Sequence, residues 1–175
     1  GCRVGESLGI MLDEIRFDEV DGEVVAVAPI VRQVDDLGAV LEDPKNKQSL
    51  RHTAVGEPWS IRLRELAEEA RERGEVWLVD NGDGTPVPQH RVRYQWKACC
   101  RKAGIDPIPL RNLRASFETT AHWELGEDQA RVGKMMGHAS GSTVTYRAYD
   151  RPSDDHVAQR AASMGKRAKE VLGSV

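Results

Sequence analysis

Leu110-Arg111-Asn112-Leu113-Arg114, followed downstream by Met136-Gly137-His138-Ala139-Ser140 and then by Tyr146 and Tyr149, is the stretch whose reading decides the fold. It supplies, in order, two clustered guanidiniums, an imidazole and a phenol. That is an inventory for attacking a phosphodiester without a metal. Guanidiniums grip an anionic phosphate through paired N–H donors. An imidazole exchanges a proton near neutral pH, and a phenol can serve as a nucleophile. Apolar periodicity predicts a helix over Leu113–Leu125 stopped by Gly126, and a second over Glu127–Met136 stopped by Gly137. His138 therefore falls at a helix C-terminus, where a histidine in isolation reads as a cap on the helix dipole.

Further elements follow on either side. Pro88–Ala103 reads as a helix ended by Gly104, and Asp106-Pro107-Ile108-Pro109 as a rigid loop, because each proline holds its predecessor extended. Trp59–Arg73 reads as a helix ended by Gly74, Val76–Val79 as a short strand or connector, and Asn81–Gly84 as a loop. Nearer the start, Val24–Val34 is rich in β-branched residues behind an Asp21-Gly22 turn. Gly38–Leu41 and His52–Val55 read as short strands flanking a turn at Pro44–Lys47, and together these give a small antiparallel sheet. Val4, Leu8, Met11, Leu12 and Ile15 recur with helical spacing, so a helix is expected after Arg3. A last helix is expected over Asp155–Leu172, its apolar stripe carried by Val157, Ala161, Met164 and Ala168. The fold class is α+β, mainly helical, with a small antiparallel β-sheet near the N-terminus.

The 175 residues fit one domain with a real hydrophobic core. The net charge of −3 excludes a simple polycation, yet the charges are segregated. From His90 to Arg114 the bases Arg91, Arg93, Lys97, Arg101, Lys102, Arg111 and Arg114 face only Asp106, while acids gather at Asp13–Glu23 and Glu65–Glu75. A basic face with an acidic back suits a nucleic-acid binder. The cysteines Cys2, Cys99 and Cys100 form no disulfide framework and no zinc pattern, so a reducing cytoplasm is the natural compartment. No apolar run is long enough to span a membrane. No signal peptide opens the chain, and a start at Gly1 inside a motif reads as a cut. Asp35-Asp36 and Asp154-Asp155 are adjacent pairs, not the clustered carboxylates of a metal-dependent nuclease. No metal and no cofactor is expected.

The order and spacing of these residues resemble the catalytic half of the tyrosine recombinases, the phage-integrase family. Leu110–Arg114 is similar to that family's His-x-x-Arg motif, and Met136-Gly137-His138 to its Leu-Gly-His. Two further stretches match in order. Gly1-Cys2-Arg3-Val4-Gly5-Glu6 resembles the family's first, arginine-bearing motif, and Asp43–Lys47 through Arg51–Val55 its lysine-bearing β-hairpin. The resemblance covers nearly the whole chain and implies the fold of DNA breaking-rejoining enzymes. It also implies one catalytic domain over residues 1–175, without the separate N-terminal domain that grips the other face of the DNA.

Carried over residue by residue, the resemblance makes Arg3 and Arg114 phosphate clamps, with Glu6 holding Arg3 from one turn away. Lys45, favoured over Lys47, becomes the acid that protonates the leaving 5′-oxygen. His138 donates to a nonbridging oxygen. Tyr149, in preference to Tyr146, is the nucleophile that forms a 3′-phosphotyrosyl link. Arg111 stands where the family usually has histidine. An arginine can donate to phosphate but cannot act as a base at neutral pH, so its part is electrostatic. The implied partner is double-stranded DNA, bound by a homotetramer on two sites, with the last helix docking into a neighbouring subunit. The implied activity is site-specific recombination. A DNA-binding member without catalysis and a type IB topoisomerase-like enzyme are the alternatives.

Overall fold

The computed structural model describes residues 1–42 and 50–138, together with residues 155, 157 and 158. A short helix α1 (Val4–Leu8) and a 3-10 turn (Leu12–Glu14) lead into five strands: β1 (Arg16–Val20), β2 (Glu23–Ile30), β3 (Gln33–Val34), β4 (Val40–Leu41) and β5 (Arg51–Val55). Helices α2 (Trp59–Glu72), α3 (Gln89–Lys102), α4 (Arg111–Thr119) and α5 (Gln129–Met135) follow, with a π-type turn over Thr120–Glu124 continuing α4. The architecture is α+β with a small antiparallel sheet near the N-terminus, as the sequence implied. The expected helix over Asp155–Leu172 lies outside the described residues, except that 155, 157 and 158 are helical.

Strand order in the main sheet is β1-β2-β5, all antiparallel. Asp21 and Gly22 join β1 to β2 with φ of 52° and 84°. Two successive positive φ values are what a tight two-residue hairpin with the strands' natural twist requires.

Three expectations are corrected. The helix after Arg3 ends at Leu8 instead of running to Ile15. Ile10, Leu12 and Ile15 are buried all the same, because the segment runs alongside residues 76–78: Leu12 N–H donates to the Val76 carbonyl and Leu78 N–H to that of Ile10, each at 2.9 Å. Helical spacing recorded burial, not helix. Strand β1 was not foreseen, since Asp18 and Glu19 make it look like a solvated acidic run. It is an edge strand whose residues are half-buried or exposed, and such a strand tolerates charge. Finally, β4 does not share a sheet with β5. It pairs with β3, Gln33 opposite Leu41 and Val34 opposite Val40, while β5 lies against β2 from Ile30↔Arg51 to Ala26↔Val55.

The main core is the inner face of β2 (Ala26, Ala28, Ile30) closed by Ile10, Leu12, Ile15 and the α2 alanines Ala67 and Ala70. The small residues let α2 approach the sheet closely. A second cluster of Ala121, Val132 and Met136, with Phe117 against it, joins α4 to α5. Gly1 sits directly on this second cluster: a Cβ there would lie 2.6 Å from Phe117 Cδ1 and 3.3 Å from Met136 Cγ. Gln89, at the start of α3, donates to the Val34 carbonyl at 2.6 Å and so fixes α3 to β3 beside α1. The segment from Gly1 to Glu6 thereby brings α1 beside the α4–α5 cluster.

Candidate active site

Glu6 organises the site. It is buried, 3% exposed, in the first turn of α1. Its Oε2 accepts the backbone N–H of Arg3 at 2.7 Å, capping the helix, and its Oε1 lies 2.5 Å from Arg3 Nη1. The sequence expected this second contact. A carboxylate removed from water needs paired charge, and Arg3 alone, 44% exposed, is a weak partner. Arg51 supplies the rest. It donates from Nη2 to Oε2 at 2.9 Å and from Nη1 to Oε1 at 3.3 Å, with its side chain only 8% exposed. Arg114 Nη1 stands 3.9 Å from the same Oε2, its side chain 5% exposed. Burial pushes the Glu6 carboxyl's pKa up, but hydrogen bonds from Arg51 and from Arg3 outweigh it and hold the group below its usual 4.5.

The other wall is the C-terminus of α5. Met136 closes the helix, Gly137 follows with φ of 74°, and the backbone N–H groups of Gly137 and His138 donate to the Lys134 and Gly133 carbonyls, both at 2.9 Å. This is the Schellman arrangement that glycine makes possible. It leaves the last carbonyls of the helix looking for donors. Arginines provide them: Arg51 Nε donates to Met135 O at 2.8 Å and Arg114 Nη2 to Met136 O at 2.6 Å. Two cations at the negative end of a helix are also well placed for its dipole. Arg114 Nη1 further donates to the Gly1 carbonyl.

His138 is the next residue after this turn, and its Nε2 lies 3.0 Å from Arg114 Nη2. A guanidinium can only donate, so Nε2 accepts, and in the neutral ring the proton sits on Nδ1. Burial and then the charges of Arg114, Arg3 and Arg51 lower the His138 pKa from 6.5 to about 4, against a smaller opposing effect of Glu6. At neutral pH the ring is uncharged. The site thus gathers three guanidiniums and one imidazole around a single carboxylate, an excess of positive charge suited to a phosphate.

Arg3, Arg114 and His138, read from three separate motifs, come together as expected. Arg111 does not join them. It is exposed at the start of α4 and lines a cleft of about 410 Å³ with Val4, Arg93, Trp96 and Lys97. Lys45, Lys47, Tyr146 and Tyr149 lie outside the described residues. Arg51 was missed. The signal available was strand alternation: Arg51, Thr53 and Val55 share one face of β5, half-buried where His52 and Ala54 are exposed. Beyond the cleft, α3 has Cys100 as its one buried residue and exposes Arg91, Tyr94, Lys97, Arg101 and Lys102, so the basic run is a surface.

The residues gathered here are carried by motifs that resemble those of a single family, and the chain belongs to it: the phage integrase family matches residues 1–156. Among curated proteins, the chain is similar to a tyrosine recombinase XerC of Neisseria meningitidis serogroup B, 27% identical over 173 residues, covering 97% of this chain and 50% of that protein. A tyrosine recombinase XerC of Neisseria gonorrhoeae is likewise 27% identical, with 97% of this chain and 49% of the relative covered. The chain therefore spans about half the length of these relatives. No solved structure matches it. Among the described residues, no helix is long and apolar enough to cross a membrane.

Proposed function

We propose that residues 1–175 form the catalytic domain of a site-specific DNA recombinase, with the fold of DNA breaking-rejoining enzymes. The observation that carries this is the convergence of Arg3, Arg114 and His138 around buried Glu6. In this reading the scissile phosphate of double-stranded DNA takes the place now filled by contacts among these cations. The Tyr149 phenol attacks phosphorus, a 3′-phosphotyrosyl ester forms, and the 5′-oxygen leaves with a proton from Lys45. The 5′-hydroxyl of a partner strand then reverses the step. The ester conserves the bond energy, so no cofactor is required. Arg3, Arg114 and the Nδ1–H of neutral His138 stabilise the charge that builds on the nonbridging oxygens. Arg111 adds positive potential from the neighbouring cleft, where a proton-transfer role is closed to it. The exposed basic side of α3 is the surface for flanking phosphates. Assembly as a homotetramer on two DNA sites completes the reading, with the protein acting in the cytoplasm.

The test is a nicked duplex that loses its 5′-hydroxyl fragment on cleavage and so traps the covalent adduct. Wild type should accumulate the adduct, Tyr149→Phe should not while still binding DNA, and Tyr146→Phe should. Adduct loss in Tyr146→Phe alone reassigns the nucleophile. Binding without any wild-type adduct would make the chain a DNA-binding member only.

A further inference from the structure

Arg51 lies in the stretch that resembles the lysine-bearing hairpin but is given no role there, yet it ties together two walls of the site. It enters from β5, crosses to both oxygens of Glu6 on α1, and reaches the Met135 carbonyl at the end of α5. Three elements far apart in sequence meet on one guanidinium. The Gly137 turn rests on it without a gap: a Cβ on Gly137 would stand 2.7 Å from Arg51 Nη1 and 3.1 Å from its Cζ. Each of its three nitrogens already donates to Glu6 or to the Met135 carbonyl, which places Arg51 behind the site and not at the phosphate.

Its effect on Arg114 follows from competition. Both guanidiniums approach Oε2 of Glu6, Arg51 at 2.9 Å and Arg114 at 3.9 Å. Because Arg51 occupies the carboxylate, Arg114 stays one step back, held by the Gly1 and Met136 carbonyls and by His138. Without Arg51, Glu6 competes with those three contacts for Arg114, drawing it toward a direct ion pair and away from His138. We propose that Arg51 is a positioning residue of the site: by bridging Glu6 and the Met135–Gly137 turn, it keeps Arg114 and His138 set for the phosphodiester. This rests on the recombinase reading above. It needs the fork of an arginine, because a lysine ammonium cannot span two carboxylate oxygens and a carbonyl on another element.

The experiment compares wild type, Arg51→Met and Arg51→Lys in the whole chain. Single-turnover adduct formation on the nicked duplex is measured beside affinity for the intact duplex and the His138 ring shifts by NMR. Misplacement of a clamp by an ångström costs on the order of a hundredfold in rate. Both variants should fall by about that factor while DNA affinity stays within about twofold, the signature of an interaction felt in the transition state. His138 should shift in both, and in Arg51→Met it should titrate at higher pH, since one of the charges lowering its pKa is gone. A wild-type rate in Arg51→Lys would overturn the proposal, for charge alone would then suffice. Affinity falling in step with rate would also overturn it, making Arg51 a direct phosphate contact. If Arg51→Met does not fold, Arg51→Lys decides by the same measures. If wild type forms no adduct, the recombinase reading fails, while unchanged His138 shifts in the variants would separately refute the role of Arg51.

Discussion

Replacing Glu6 with glutamine keeps the volume and one carbonyl oxygen but removes the only negative charge among Arg3, Arg51 and Arg114 in the site described. The magnitude follows from exposure. The Arg3 arm is 44% exposed and adds little, as surface pairs do. The Arg51 and Arg114 arms are 8% and 5% exposed, so those buried guanidiniums would lose the carboxylate they face. Breaking a buried pair by removing one partner costs about 3–5 kcal/mol. Set against a total stability of roughly 5–15 kcal/mol for a native protein, that is a severe loss. The assay is urea unfolding at pH 7.5. With a slope of about 1–3 kcal/mol per molar, the midpoint should fall by roughly 1–5 M with the slope unchanged. The double variant Glu6→Gln with Arg51→Met should then be less unstable than the sum of the singles, because the two groups are direct partners. A loss below about 1 kcal/mol, or strict additivity, would refute the argument that this carboxylate holds the arginines.

Other outcomes follow from the same geometry. Keeping His138 neutral contributes stability that is complete above pH 6.5 and drains away as pH falls toward about 4, since the unfolded chain takes up the proton first. Urea midpoints for His138→Gln should lack that slope; the contribution of Glu6 is lost only further down, below 4.5, as its carboxylate is protonated. Gly137→Ala forces a side chain into a left-handed conformation, worth about 1–2 kcal/mol, and into Arg51, 2.7 Å away. Its melting temperature should drop by roughly 2–8 °C, and an unchanged value would mean that the turn and Arg51 readily separate. DNA affinity should fall steeply across a salt series as phosphate contacts release counterions, less steeply once Lys97 and Arg101 on α3 are made alanine. An unaltered salt slope in that variant would remove α3 from the contact surface.

Much of the architecture was written locally. The helices at 59, 89, 111 and 129 announce themselves by apolar spacing, and glycines such as Gly104 and Gly137 stop them with φ of 72° and 74°. Arg3, Arg114 and His138 were legible because their spacing matches a family pattern. What stayed hidden depends on tertiary partners. The spacing of Ile10, Leu12 and Ile15 could not distinguish a helix from a segment laid along residues 76–78. Arg51 drew no role from the sequence because its partners, Glu6 and the end of α5, come to it from opposite ends of the described chain. Arg111, one turn before Arg114, seemed bound for the same pocket, but it opens onto the cleft beside α3.

The pairing of β2 with β5 sets Ile30 opposite Arg51 and Ala26 opposite Val55. Side chains in a strand alternate, so a slip of one residue would swap faces and bring His52 to where Arg51 now lies. That ladder acts as a vernier, setting to one residue which side chain faces Glu6. One residue gained or lost within Arg51–Val55 would put that ladder out of step and turn Arg51 away from Glu6, although the stretches that carry Arg3, Arg114 and His138 would still read unchanged.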